Sequence, residues 1–301
     1  MSLMRGSAEG LVGGVVLDAF LGDPRRWHPV AGFGRVASAG ERFVYGDSRW
    51  RGVVYTGVLV GGAGALGVVI ERVSRRFGVH GLATAGVTWA VLGGTSLGRE
   101  GLAMARALER GDLAAARERL PHLCARDPKG LDAPGVARAV VESVAENTSD
   151  ASVAPLVWGA VAGIPGLLMY RAANTLDAMV GYRSPRYERF GWASARLDDV
   201  ANWVPARVTG GLVVVCGGSE AWRILRRDGK KHPSPNAGQV EAAFAGALGV
   251  RLGGVNAYGG RVERRPEMGD GKAPEVRDIR RAVGLSAAVT FAAAALIGVL
   301  R

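Results

Sequence analysis

GVVYTGVLVGGAGALGVVI, residues 52–70, contains no lysine, arginine, aspartate or glutamate. A bilayer core about 30 Å thick requires around 20 apolar residues in helical form, and this run meets that requirement. Downstream, ERVSRRFG brings Arg72, Arg75 and Arg76, and a second uncharged run, VHGLATAGVTWAVLGGTSLG, fills 79–98. The pair predicts a transmembrane hairpin whose arginine-rich connection faces the cytoplasm under the positive-inside rule. Further out, ASVAPLVWGAVAGIPGLLMY (151–170) is also uncharged but carries Pro155 and Pro165 near its ends, which predicts a kinked, broken or re-entrant helix. The C-terminal run AVGLSAAVTFAAAALIGVL (282–300) follows Arg277, Arg280 and Arg281, so its entry belongs in the cytoplasm. Residues 204–218 make a weaker span, and 10–21, interrupted by Asp18, a partial or packed helix. The fold class is therefore all-α: a polytopic integral membrane protein of about four to six hydrophobic helices. Polar helical segments at 99–150, 171–203 and 219–281 complete a single membrane-embedded domain over 1–301.

Composition points the same way. Of 301 residues, 46 are glycine, and they lie inside the apolar runs, a pattern suited to closely packed membrane helices. A hydrophobic share of 48% excludes disorder. The net charge of +11 admits nucleic acid, anionic lipid or phosphorylated ligands, but with 7% aromatics and no nucleic-acid-binding motif, lipid and phosphate fit better. Cys124 and Cys216 are too few for a zinc cluster or a disulfide framework. Walker loop, dinucleotide fingerprint, HExxH and GxSxG motifs are all missing from the sequence. Residues 97–123 predict an amphipathic helix broken at Gly111 and Asp112 into a helical hairpin.

Four segments hold groups that could carry chemistry. In VESVAENTSDAS (141–152), Glu142, Glu146 and Asp150 recur every fourth residue, so a helix stacks three carboxylates on one face. Burying them would demand a cation: Arg138 one turn earlier, an arginine from another segment, or a divalent metal held through oxygen. A solvated acidic face is the alternative, but Asn147, Thr148 and Ser149 add uncharged oxygens just before an apolar run and favour a magnesium or substrate site. In YRAANTLDAMVGYRSPRYERFGWASARLDDVANWVPAR (170–207), Arg171, Asn174 and Asp177 share one broad side of a helix, and Arg196, Asp199 and Asn202 repeat the spacing. Ionisable groups are costly in a bilayer and so functional there; Arg–Asp pairing between helices is the structural alternative. In 231–260, Ser234, Pro235, Asn236 and Gly238 make a turn into a helix bearing Glu241, with Lys230, Lys231 and His232 just before it. Such a helix start either binds an anion or is simply capped by Ser234 or Asn236. In LDAFLGDPRRWHPV (17–30), Asp18, Asp23, Arg25, Arg26 and a structural His28 flank a half-buried helix.

These four segments, in this order, resemble the adenosylcobinamide-phosphate synthase family, the CbiB or CobD type of cobalamin biosynthesis protein. The resemblance runs from LDAFLGDPRRWHPV through ESVAENTSDASVAPL and residues 170–207 to SPNAGQVEAAFAGALGVRLGG, while 52–98 and 261–281 match only in character. It implies a multi-pass enzyme of the cell (inner, cytoplasmic) membrane whose active site is reached from the cytoplasm. The implied reaction is ATP-dependent amide ligation of (R)-1-aminopropan-2-ol, or its O-phosphate, to the ring-D propionate of adenosylcobyric acid. A carboxylate must be activated before an amine can displace its oxygen, so an acyl phosphate is the natural intermediate, with Mg2+ orienting phosphoryl transfer. On that mechanism Glu142, Glu146 and Asp150 hold magnesium or take the ammonium proton. Arg171, Arg183, Arg196 and Arg207 would bind phosphate or carboxylate, and Asn147, Asn174, Asn202 and Asn236 suit the corrin's peripheral amides. Asp177, Asp198 and Asp199 would form a second metal site or partner those arginines, and Ser234 and Glu241 join the substrate-binding set.

The resemblance leaves the corrinoid as substrate rather than prosthetic group. Its implied partners are the lipid bilayer, other cobalamin-pathway enzymes and a second copy of the chain, with no nucleic acid. One active site on one side of the membrane requires 151–170 or 204–218 to be broken or re-entrant. A corrinoid transporter or scaffold is the rival reading, weakened by the lack of an inverted repeat and by polar motifs outside the longest apolar runs.

Overall fold

The computed structural model describes residues 2–23, 28–124, 126–182, 184–258 and 261–300. In chain order its elements are α1 (Ser2–Leu21), α2 (Pro29–Val44), α3 (Arg49–Arg76), α4 (His80–Val91), α5 (Gly94–Glu109), α6 (Leu113–Arg119), α7 (Ala133–Thr148), α8 (Ala154–Leu176), α9 (Trp192–Ala201), α10 (Trp203–Gly217), α11 (Ser219–Asp228), α12 (Ala237–Leu248), β1 (Leu252–Tyr258), β2 (Arg261–Met268) and α13 (Val276–Leu300). Among the described residues three helical stretches are long and apolar enough to cross a membrane: α3, the continuous stretch Ala133–Gly181, and α13. The α9–α10 pair, bent by 44°, adds a fourth if it is one span. Only 28% of the apolar window in α3 and in α13 is buried, so most of that surface faces outward. A water-soluble protein would bury helices this apolar; here the fold is an all-α polytopic membrane protein.

The chain divides into two compact units, each discontinuous in sequence: 1–93 with 150–202 and 293–301, and 94–149 with 203–292. In the first, glycines bring helices into backbone contact. A Cβ on Gly10 or Gly14 of α1 would lie 2.6 or 2.3 Å from the Cβ of Thr84 or Thr88 on α4, the close approach that small residues four apart permit between membrane helices. Tyr55, Val60, Ala172, Leu176, Val180 and Phe190 form a core beside α2, where the Tyr55 hydroxyl donates to the Ala37 carbonyl at 3.0 Å.

Helix α8 is broken, as its prolines predict, with Ala162 and Gly163 outside helical geometry. Gly163 has φ of 63° and ψ of −150°, a region open only to glycine. The freed N–H of Ile164 donates to Glu71 Oε2 at 3.2 Å, and Arg75 holds Glu71 Oε1 at 2.5 Å. The run 79–98, expected as one span, is two helices: Leu92 is extended, with ψ of 161°, and α5 starts at Gly94.

In the second unit α12 is almost wholly buried and α7 is buried over most of its length. The expected hairpin at 97–123 forms: Gly111 takes φ of 75° and Asp112 caps α6 by accepting from the Ala115 N–H at 2.9 Å. Buried Asp228 ends α11, accepting from Arg227, from Lys231 and from the Gly269 N–H. Arg227 and Lys231 with that amide hold its carboxyl far below the usual carboxylate range. The antiparallel β1–β2 hairpin is absent from the all-helical expectation. Its register pairs Val255 with Arg264 and Gly254 with Arg265, after an irregularity between Leu252 and Gly254.

Candidate functional site

Helix α7 begins with Asp132 accepting from the Gly135 N–H at 2.8 Å, followed by Pro134 in the first turn, where a proline costs no hydrogen bond. That start fixes Arg138, Glu142 and Glu146 one turn apart on one side. Glu142 is buried, and the cation it requires comes from another segment: Arg126 donates to its Oε2. Its Oε1 accepts the Gly253 N–H at 2.7 Å. Arg138 turns instead to the hairpin, donating to the carbonyls of Gly253 and Val255. Glu146 is exposed and stands in the field of Arg265, Glu142 and Arg126.

Glu241 on α12 is 2% exposed. Burial, reinforced by the negative charges of Glu142 and Glu146, raises its carboxyl well above the usual range. His232 Nε2 lies 3.9 Å from Glu241 Oε1 and 3.2 Å from Arg265 Nη1. Burial, and then the Arg265 charge, lower the imidazole below its usual value of 6.5, favouring the neutral ring. This unit thus gathers three glutamates, a neutral-leaning histidine and two buried or half-buried arginines. Arg126, His232 and Arg265 are the members that sequence spacing did not place here.

Other sequence candidates in this unit do quieter work. Ser234 Oγ accepts from the N–H groups of Asn236 and Ala237, the ordinary capping alternative for that turn, and buried Asn236 occupies the N-cap. Asn147 donates back to the Ser143 carbonyl at 2.9 Å. Arg207 donates to the Trp203 carbonyl at 2.6 Å and lies 4.0 Å over the Trp203 ring.

The first unit holds a separate polar chain. Tyr170 donates to Asn202 Oδ1 at 2.9 Å; Asn202 and Asn174 donate to the two oxygens of Asp198 at 3.0 and 3.2 Å; Arg171 reaches Asn174 Oδ1 at 3.4 Å. The sequence alternative of Arg–Asp pairing between helices is here mostly amide to aspartate across α8 and α9. Arg196 pairs with Asp199 on its own helix at 3.6 Å. Arg171 borders an apolar cavity of about 330 Å³ with Phe33, Leu59, Leu168 and Thr175, and its buried Nε makes no hydrogen bond. A donor without an acceptor suits an anionic group from outside the chain. Asp150 and Asp177 each fall in a π-helical turn, Ser149–Val153 and Asp177–Gly181. Arg183, like Arg25 and Arg26, lies outside the described residues.

Among the described residues no group of three or more His, Cys, Asp or Glu side chains could hold a metal ion. Both oxygens of Glu142 are taken, and Asp198 is occupied by two amides. A magnesium ion carried on nucleotide phosphates needs only one or two protein carboxylates, and exposed Glu146 fits that smaller requirement.

Residues 11–286 match the model of the CobD/Cbib protein family. The chain belongs to that family. Proteins named "Cobalamin biosynthesis protein CobD" share 55% identity over 98% of this chain and 96% of theirs in Mycobacterium bovis, and 56% over 96% and 94% in Mycobacterium tuberculosis. Another of that name, from Stutzerimonas stutzeri, is 45% identical over 91% of each chain. No solved structure matches this CobD/CbiB family member.

Proposed function

We propose that this chain acts in cobalamin biosynthesis as an ATP-dependent amide-forming ligase of the cytoplasmic membrane, joining (R)-1-aminopropan-2-ol or its O-phosphate to the ring-D propionate of adenosylcobyric acid. What supports the reading, in a member of this family, is the grouping of Glu142, Glu146, Glu241, His232 and Arg265 in one unit. Amide formation from an acid and an amine needs phosphoryl transfer, a base for the ammonium proton and cations for developing oxyanions. In the first step a propionate oxygen bonds to the γ-phosphorus and the bond to ADP breaks. In the second, the amine nitrogen attacks the acyl carbon, the C–O bond breaks and inorganic phosphate leaves.

Glu146, exposed on α7, is the group suited to meet magnesium on the phosphates or to accept the ammonium proton. Magnesium would neutralise phosphate charge during transfer. Arg265 is suited to the oxyanions, and neutral His232 to proton relay beside Glu241. In the first unit, the buried Nε of Arg171 suits a corrinoid carboxylate.

The test uses purified protein in detergent with adenosylcobyric acid, ATP, Mg2+ and aminopropanol with or without its phosphate, reading corrinoid mass. A gain of one amide supports the ligase and names its donor. Tight corrinoid binding without product would replace it with a transporter or scaffold. Glu146→Gln is expected to lower turnover by about 10²-fold or more, the usual scale for losing a general base; unchanged turnover would remove Glu146 from the mechanism.

A further inference from the structure

Helix α11 starts after Gly218, whose φ of 81° and ψ of −166° separate it from α10 in a conformation open only to glycine. Its inner side is fixed. Ala221, Ile224 and Asp228 are buried, and a Cβ on Gly246 of α12 would lie 2.8 Å from the Ala221 Cα, so the two helices meet through their backbones. Two outward rows remain, each with fourth-residue spacing. Along one, every base is matched by an acid: Arg223 by Glu220 at 2.7 Å and Asp270 at 2.8 Å, Arg227 by Asp228 and Asp270 at 2.7 Å, and Lys231 by Asp228 at 2.7 Å. Along the other lie Trp222, Arg226 and Lys230, all exposed. Among the described residues neither Arg226 nor Lys230 has an acid partner, and the Arg226 guanidinium lies 5.4 Å from the centre of the Trp222 ring. The helix before them, α10, belongs to the bent pair that could make a fourth span. It turns an uncharged row outward, Val204, Val208, Gly211 and Val215, with Val215 78% exposed, while Pro205, Thr209 and Val213 are buried.

We propose that Trp222, Arg226 and Lys230 form a docking surface for anionic phospholipid headgroups where α10 leaves the bilayer. The charge count supports it. Five bases stand at 223–231, and the acids that touch them, Glu220, Asp228 and Asp270, are all taken up by Arg223, Arg227 and Lys231. The excess therefore sits on the Trp222 row. A guanidinium fork matches paired phosphate oxygens, an ammonium adds a compact charge, and basic groups beside a span are drawn to anionic lipid. Trp222, 51% exposed, fits the headgroup level, where an indole keeps its ring in apolar surroundings and its N–H in polar ones. Plain solvation would explain the two bases but leaves the tryptophan and the valine row before it facing water. Through the Ala221–Gly246 contact, a headgroup layer held by α11 bears directly on α12, the helix that carries Glu241.

Fluorescence quenching by acyl-brominated lipids tests it, with the purified full chain in detergent and brominated phosphatidylglycerol or brominated phosphatidylcholine added as separate probes. Each protein is compared with its own Trp222→Phe counterpart, which isolates the Trp222 signal from the other tryptophans. Phosphatidylglycerol is expected to quench that signal at about tenfold lower lipid than phosphatidylcholine. Arg226→Gln/Lys230→Gln should remove this preference, since each basic residue at an anionic surface is worth about fivefold in affinity. Arg226→Lys should keep most of it, and salt at about 1 M should erase it by screening exposed charges. Trp222 quenched equally by the two lipids, or a preference unchanged in the double variant, overturns the headgroup site. No quenching of Trp222 by either lipid also overturns it, and gives this face to water or to a protein partner.

Discussion

Arg126→Met should cost the protein more than any substitution of a surface arginine. Arg126 is 4% exposed and Glu142 5%, so the variant leaves a carboxylate in the interior with the Gly253 N–H as its remaining partner. Breaking a buried ion pair from one side costs about 3–5 kcal/mol. The surviving amide bond at 2.7 Å places the expected loss at the lower end, about 3 kcal/mol. At about 2–4 °C per kcal/mol for chains near this size, thermal unfolding in detergent should begin some 6–12 °C lower. The sequence's seven tryptophans supply the fluorescence signal. Glu142→Gln in the same chain removes the stranded charge while keeping an acceptor for Gly253, so Arg126→Met/Glu142→Gln should recover at least half of the loss. A double variant as unstable as the sum of the two single variants would refute the pairing argument, because uncoupled residues add.

Three further outcomes follow from the same geometry. Glu241 carries a raised carboxyl, so the native state keeps a proton the unfolded chain releases above 4.5, and stability falls as pH rises from there; Glu241→Gln should therefore gain over wild type increasingly with pH in thermal unfolding scans. His232 has the opposite sign: its lowered value means stability is lost as pH falls below 6.5, and His232→Gln should flatten that acid limb, a result refuted by parallel curves. Gly254→Ala, strained at φ of 86° and crowding Arg138, should cost about 1–3 kcal/mol in the same scans, whereas an equal cost in an Arg138→Ala background would exclude crowding as the cause.

Much of the membrane architecture is legible in the sequence because it depends on composition over windows of about 20 residues. The break in α8 is also readable, since Pro165 cannot donate to the helix ladder. What escapes is local geometry governed by tertiary contact. Nothing in SDASV or DAMVG announces a π turn, yet Asp150 and Asp177 both lie in one. The need for a cation near Glu142 is evident from three acids at helical spacing, but its supply by Arg126 depends on how a loop folds back. The hairpin does have a sequence trace: Gly259-Gly260 between two strand-length runs is a two-residue turn signal. Arg265 and His232 carry no spacing signature at all, because the contact between them joins residues 33 apart in sequence.

Gly253 is gripped at both ends of one residue by opposite charges from one helix, its N–H by Glu142 and its carbonyl by Arg138. Because successive residues of a strand turn their N–H and C=O to opposite edges, a slip of one position would point both groups away from Glu142 and Arg138. The hairpin therefore has discrete resting places on α7 and no intermediate ones. A motion that rotates α7 must carry the arginines of β2 with it as cargo, or release them altogether.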